Sequence, residues 1–169
     1  TLKSGVVLIF DEVVTGFRYA PGGAQQYFGV IPDLSCFAKI LAGGLPGGAV
    51  AGKKEIMEYL EFKEDPHWNR YRKISHPGTF NANPLSAAAG VATLNIIGKG
   101  EVIPKANENA ENLRNALNEV IKVHKINWCV HGEHSILHIL MNHHCPKQST
   151  CHRRGCTYDY TLAYQKDPM

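Results

Sequence analysis

A run without a single polar side chain, Gly5-Val6-Val7-Leu8-Ile9-Phe10, stops abruptly at two carboxylates, Asp11 and Glu12. A continuous apolar strand of this kind belongs inside a sheet covered on both faces by helices, because either face of it would otherwise meet water. The chain is therefore expected to be α/β. A central strand also needs neighbours on both edges, and little sequence precedes this one. The expectation is a piece of a longer protein.

The order of signals along the chain fits that class. A loop ending in Ala20-Pro21-Gly22-Gly23 carries turn residues, and a short helical stretch around Gln25 to Gly29 precedes the break at Pro32-Asp33. Leu34 to Ala38 and Ala49 to Gly52 read as further short strands, with the glycine-rich loop Gly43 to Gly48 between them. Lys54 to Glu61 looks helical. Phe62 to Ser75 is charged and aromatic without a clear period, and reads as an exposed excursion. Asn83-Pro84 starts a helix of small residues, Ser86 to Ala92, whose size allows close approach to whatever it packs on. From about Ile103 to Val123, Ala106, Ala110, Leu113, Leu117, Val120 and Ile121 fall on one stripe at spacings of three and four, the mark of an amphipathic helix. Ser135 to Met141 suggests a strand.

Three places carry chemistry. At the first, the strand delivers Asp11 and Glu12 to its C-terminal end, where α/β sheets place their ligands. Taken alone, this reads better as a surface turn after a strand. At the second, Lys39 follows the apolar segment Ser35-Cys36-Phe37-Ala38 and precedes a double-glycine loop. A lysine buried and charged there would be costly, so such lysines are paired or used as neutral amines. At the third, Gly78-Thr79 precedes the helix start at Asn83-Pro84, offering amides and a hydroxyl to a phosphate.

Asp11-Glu12-Val13-x-Thr15-Gly16-Phe17, then Pro32-Asp33-Leu34 before Lys39 and Gly43-Gly44-x-Pro46, then Gly78-Thr79-x-x-x-Asn83-Pro84, resembles the class III pyridoxal-phosphate (PLP) dependent aminotransferases. The resemblance runs from about Gly5 to Ile97. Within the class, Phe17-Arg18 and Gly22-Gly23-Ala24-Gln25 are most similar to the glutamate-1-semialdehyde 2,1-aminomutases, with a transaminase acting on another amino acid or amine as the alternative.

The resemblance implies a fold-type I transferase: residues 1–98 would be the C-terminal half of the PLP-binding large domain, with a mixed, mostly parallel sheet and flanking helices. Residues 99–169 would begin a small α+β domain and end in an irregular tail. It implies that Asp11 pairs with the cofactor's pyridine nitrogen, that Val13 presses on one ring face, and that Lys39 forms the imine with the cofactor and carries the proton. Gly78 and Thr79 would bind the phosphate, reaching the site of a neighbouring subunit in a homodimer. The implied substrate is a small amino acid or amino-aldehyde.

This chain departs from that pattern in three ways. The interval from Lys39 to Thr79 is longer, by the Phe62 to Ser75 stretch. Phe80-Asn81-Ala82-Asn83 stands where Leu-Ser-Gly-Asn is usual. The family's N-terminal half and most of its small domain lie outside these 169 residues, so a non-catalytic fragment is the rival from another class.

Composition excludes other functions. A formal charge of +3 with no basic stripe argues against nucleic acid, and no apolar run approaches the roughly 20 residues of a membrane span. Five cysteines, with Cys36 and Cys129 inside apolar segments, fit a reducing cytoplasm better than a disulfide framework. The tail holds His143, His144, Cys145, Cys151, His152 and Cys156, but without the short Cys-x2-Cys knuckle of a zinc site, and no metal is expected.

Overall fold

The computed structural model describes residues 5–141. The chain divides between Gly100 and Glu101 into two compact units.

The first unit is built on a three-stranded sheet. Strand β1 (Ile9–Asp11) pairs in parallel with β2 (Leu34–Phe37), and β2 pairs antiparallel with β3 (Ala49–Gly52). The parallel pair is joined through α1 (Gly23–Phe28), which ends in the left-handed residue Gly29 (φ 65°), the usual way to stop a helix. Among the described strands β2 is central and β1 lies at the edge, with Val6, Val7 and Ile9 half or more exposed. The central place expected for β1 is thus taken by β2, whose residues Leu34 to Phe37 are buried or half-buried.

Asp33 fastens the other end of the sheet. Its Oδ2 accepts the Leu8 amide at 2.7 Å and its Oδ1 meets Lys53 Nζ at 2.6 Å, so one carboxylate joins the entries to β1 and β2 with the exit of β3. The Leu8 amide first, and the Lys53 ammonium beside it, hold the Asp33 carboxyl below the usual aspartate range; the same pairing raises Lys53.

After β3 come α2 (Lys54–Met57) and a 3-10 turn (Glu58–Leu60). The Phe62 to Ser75 stretch contains a helix that its lack of period concealed: α3 (Pro66–Tyr71), capped by Asp65 accepting from the His67 amide and started by proline. Trp68 stacks with Tyr59 and lies under Lys63 Nζ, 3.7 Å from the ring centre. Helix α4 (Pro84–Ile97) begins at Asn83, whose side chain accepts from the Leu85 and Ser86 amides.

The second unit packs α5 (Val102–Val123) on a hairpin of β4 (Cys129–His131) and β5 (His138–Leu140). The buried face of α5 coincides only in part with the apolar stripe read from sequence, sharing Ala110 and Ile121. Ile103, Ala110, Arg114, Asn118 and Ile121 are buried, while Leu113 and Val120 are half exposed. Asn118 Nδ2 donates to the Val130 carbonyl (2.8 Å), its Oδ1 accepts the Val130 amide (3.0 Å), and Arg114 Nη1 donates to the Gly132 carbonyl (3.1 Å). Two polar residues are drawn inward because β4 has backbone groups to satisfy there.

Candidate functional site

The C-terminal ends of β1 and β2 lie side by side, with Asp11 in register with Cys36. Side chains alternate along a strand, and here the alternation separates the two acids. Glu12 turns inward and is 1% exposed: its Oε2 accepts Thr15 Oγ1 (2.5 Å) and the Ala24 amide (2.9 Å), and its Oε1 accepts the Gln25 amide (2.8 Å). Asp11 turns the other way and is exposed, with Oδ1 accepting the Val13 amide at 3.0 Å. Of two carboxylates that look equivalent in sequence, one is consumed by the fold and the other faces outward.

The turn that follows is tightly specified. Gly16 donates its amide to the Glu12 carbonyl at 2.9 Å, and half-buried Val13 sits within this turn. Gly23 has φ 74°, and an added Cβ would lie 2.7 Å from both Glu12 carboxylate oxygens. Glycine is required there twice over, by conformation and by space.

At the end of β2 the chain leaves the sheet. Ala38 is extended, Lys39 takes φ 50°, and a 3-10 turn runs Lys39–Ala42 before Gly43 closes it with its amide on the Ile40 carbonyl (3.1 Å). Lys39 is exposed. The condition under which a charged lysine here would be costly, burial, is not met, and Lys39 itself takes the left-handed step that ends the strand. What holds is its place: three residues beyond the partner of Asp11, at the same end of the sheet.

Helix α4 buttresses this turn. Its small residues permit an approach that larger ones would block: a Cβ at Gly90 would lie 2.7 Å from the Leu41 carbonyl, and one at Gly43 would lie 2.8 Å from the Ala89 carbonyl. Ser86 Oγ donates to the Pro46 carbonyl at 2.7 Å. A groove of about 610 Å³ runs between these parts, lined among others by Leu41, Gly47, His76, Phe80 and Asn83.

Gly78 and Thr79 lie on an exposed turn leading into α4. Asn81 shapes that turn, its amide on the Gly78 carbonyl (3.0 Å) and its Nδ2 on the His76 carbonyl (3.0 Å). The first amides of α4 are taken by Asn83, so a phosphate would be held by the turn itself and not by the helix start. No hydrogen bond or ion pair among the described residues ties Gly78 or Thr79 to Asp11, Val13 or Lys39. The structure brings Asp11, Val13 and Lys39 to one strand end, while Gly78 and Thr79 lie on the turn before α4.

Five non-glycine residues among those described have positive φ, and three of them, Phe17, Lys39 and Ala82, fall one in each of the three motifs. Left-handed backbone is disfavoured for residues with a side chain, and it concentrates where function over-determines the fold. Sequence reading named Glu12, Gly23 and Asp33 within the motifs but missed their roles. The available signal was the glycine pair Gly22-Gly23 so soon after an acid. No cluster of three or more metal-ligating side chains occurs among the described residues, and the His/Cys tail from His143 to Cys156 lies outside them. No described helix is long and apolar enough to cross a membrane.

Comparison with known proteins agrees with the motifs. The class III aminotransferase family model matches residues 1–153. A glutamate-1-semialdehyde 2,1-aminomutase from Ignicoccus hospitalis is 49% identical over 117 residues, covering 69% of this chain and 26% of that protein. One of the same name from Methanosphaera stadtmanae is 40% identical over 167 residues, covering 99% and 35%. Among solved structures, an omega-transaminase from Sphaerobacter thermophilus superposes with a TM-score of 0.69 at 36% identity, over 88% of this chain and 32% of its own. A transaminase with PLP bound gives 0.63 at 32% identity, over 82% and 31%. The chain thus spans about a quarter to a third of the length of these relatives, and its sheet and flanking helices are part of the fold of PLP-dependent transaminases. The chain belongs to the class III aminotransferase family.

Proposed function

We propose that this chain supplies the cofactor-anchoring strand end of a PLP-dependent enzyme that transfers an amino group. The observation that carries the reading is the placement of Asp11 at the C-terminal end of β1 and of Lys39 just beyond the same end of the adjacent parallel strand β2. The residues present fit the cofactor. Asp11 is exposed, with Oδ1 holding the Val13 amide and no hydrogen bond to Oδ2 among the described residues, and Lys39 offers an accessible amine at the same end. PLP, when bound, supplies the electron sink that makes loss of a proton from the substrate Cα feasible.

Asp11 would hold the protonated ring nitrogen through a charge-assisted hydrogen bond. Val13, one turn residue on, would bound the ring from one side. Lys39 would provide the amine that takes up the cofactor's aldehyde, and afterwards the base that moves the proton at Cα. Gly78 and Thr79 lie on an exposed turn, which supports their serving the phosphate of a neighbouring subunit in a homodimer with shared sites. The division after Gly100 supports reading residues 1–98 as part of the large domain and 99–169 as the start of the small one. The position of Cys36 and Cys129 within apolar segments supports a reducing, cytoplasmic setting.

The substrate reading is conversion of glutamate-1-semialdehyde to 5-aminolevulinate, supported by the names of the relatives and by Phe17-Arg18 and Gly22 to Gln25. A second reading, transamination of another amine, is favoured by Phe80 to Asn83 on the groove wall and by the helix-bearing excursion Phe62 to Ser75. Product analysis separates the two: a mutase returns one isomerised product, a transaminase releases a keto product.

The first experiment is borohydride trapping of PLP, mapped by peptide mass spectrometry, with Lys39→Ala beside the wild type. Label concentrated on Lys39 and lost in Lys39→Ala is expected. Label scattered over surface lysines and unchanged by the substitution would remove the catalytic reading and leave a non-catalytic fragment.

A further inference from the structure

We propose that Glu12 is a positioning residue for Asp11, fixing the direction in which that carboxylate leaves the sheet. The inference rests on the role given to Asp11 above.

All three polar parts of Glu12 fasten the backbone on either side of Asp11 and Val13. Its amide donates to the Cys36 carbonyl at 2.9 Å and so carries the β1–β2 pairing one residue past Asp11. Its carbonyl accepts the Gly16 amide and closes the turn that contains Val13. Its side chain, buried, is gripped by Thr15 Oγ1 and by the amides of Ala24 and Gln25. A backbone that cannot turn at position 12 fixes the face from which the side chain of its neighbour leaves the strand.

The space around the Glu12 carboxylate is cut to that purpose. Gly23 approaches so closely that an added Cβ would overlap the carboxylate, 2.8 Å from Cδ. A Cβ at Gly16 would lie 2.6 Å from the Glu12 carbonyl oxygen. An acid kept only for solubility or for a surface turn would need neither approach. A carboxylate that only filled the core would stabilise the fold without transmitting anything to Asp11, and this is the rival to be tested.

The test uses Glu12→Gln and Gly23→Ala in the full-length enzyme, with and without its cofactor. The first keeps the size of the side chain but turns an NH2 toward one of its donors; the second leaves Glu12 intact and displaces it. Two readouts are followed. In the cofactor-free protein, hydrogen exchange at the backbone amide of position 12 reports whether the ladder beyond Asp11 persists. In the holoenzyme, the pH midpoint of the bound PLP absorption reports the carboxylate beside the ring nitrogen.

Both variants are expected to speed exchange at position 12 by about tenfold and to move the absorption midpoint in the same direction, by about half a pH unit or more. Thr15→Val, which removes a single donor, should give smaller changes of the same sign and serves if Glu12→Gln does not fold. A lowered melting temperature with unchanged exchange and an unchanged midpoint would overturn the proposal and leave Glu12 a core residue. Wild-type protein that retains no PLP on Lys39 would overturn it by another route, through the role of Asp11, while exchange at position 12 still judges the tether itself.

Discussion

Ala82 shows how much a single residue can record. It stands at φ 57°, in the turn between Thr79 and the cap Asn83, at the position where related sequences usually carry glycine. A side chain in the left-handed region costs about 1–2 kcal/mol, whereas glycine would lose more freedom on folding, by about 0.4–1 kcal/mol. Ala82→Gly is therefore expected to raise stability by about 0.5 kcal/mol, measured as a higher urea midpoint at unchanged slope. A fall in the midpoint would mean that the alanine methyl makes a contact worth more than the strain. Asp11, Val13, Lys39, Gly78 and Thr79 were all legible as motif residues. Glu12 was visible only as a second acid, because nothing in a sequence distinguishes a carboxylate aimed at a ligand from one aimed at two amides of the next helix. Lys39 shows the converse: its neighbours are apolar, yet the side chain is exposed.

Among the elements, those with period and caps were the legible ones. Helix α4, with Asn83-Pro84 at its start, and α5, with its long repeat, were found nearly at their observed bounds. Helix α3 was missed although Asp65-Pro66 marked its start, because six residues give no stripe. The face of α5 was misjudged by one step around the helix. Leu113 and Val120 looked internal, yet Arg114 and Asn118 are 5% exposed. Hydrophobicity ranks side chains by their dislike of water, and cannot anticipate that a neighbouring strand needs hydrogen-bond partners. Asn118→Ala strips the Val130 amide and carbonyl of theirs, and is expected to destabilise the second unit by about 2–4 kcal/mol. Unfolding in urea, followed by a probe placed on α5, would check this; a change under 1 kcal/mol would show that water reaches Val130 instead.

The molecule as a whole responds to pH through the Asp33–Lys53 pair, which ties the entries to β1 and β2 to the exit of β3. Because folding lowers the Asp33 carboxyl, its stabilising contribution is present above the ordinary aspartate value, about 3.9, and is lost as pH falls through the lower folded value. Folding raises Lys53, so its contribution is complete below about 10.4 and is lost as pH rises through the folded value. Wild type and Asp33→Asn should therefore differ by a constant stability between those limits and converge in acid below about pH 4. A gap that persists undiminished to pH 2 would show that Asp33 is held by its geometry and not by its charge. At this scale the α/β class was legible from one apolar run, and the family from three motifs in order. The strand order was not, since β1 and β2 are alike in composition and only pairing decides which is central.

One feature of the second unit reaches beyond its stability. Arg114 and Asn118 are four apart on α5, about 6 Å along its axis, and they meet Gly132 and Val130, two apart on the β4 side, about 6.8 Å. The two repeats nearly coincide, so the helix reads the strand like a vernier against a scale. Sliding β4 by one residue would present the wrong backbone groups to both side chains at once, as well as reversing its faces. The pair thus selects one alignment of the hairpin against the helix and rejects its nearest competitors.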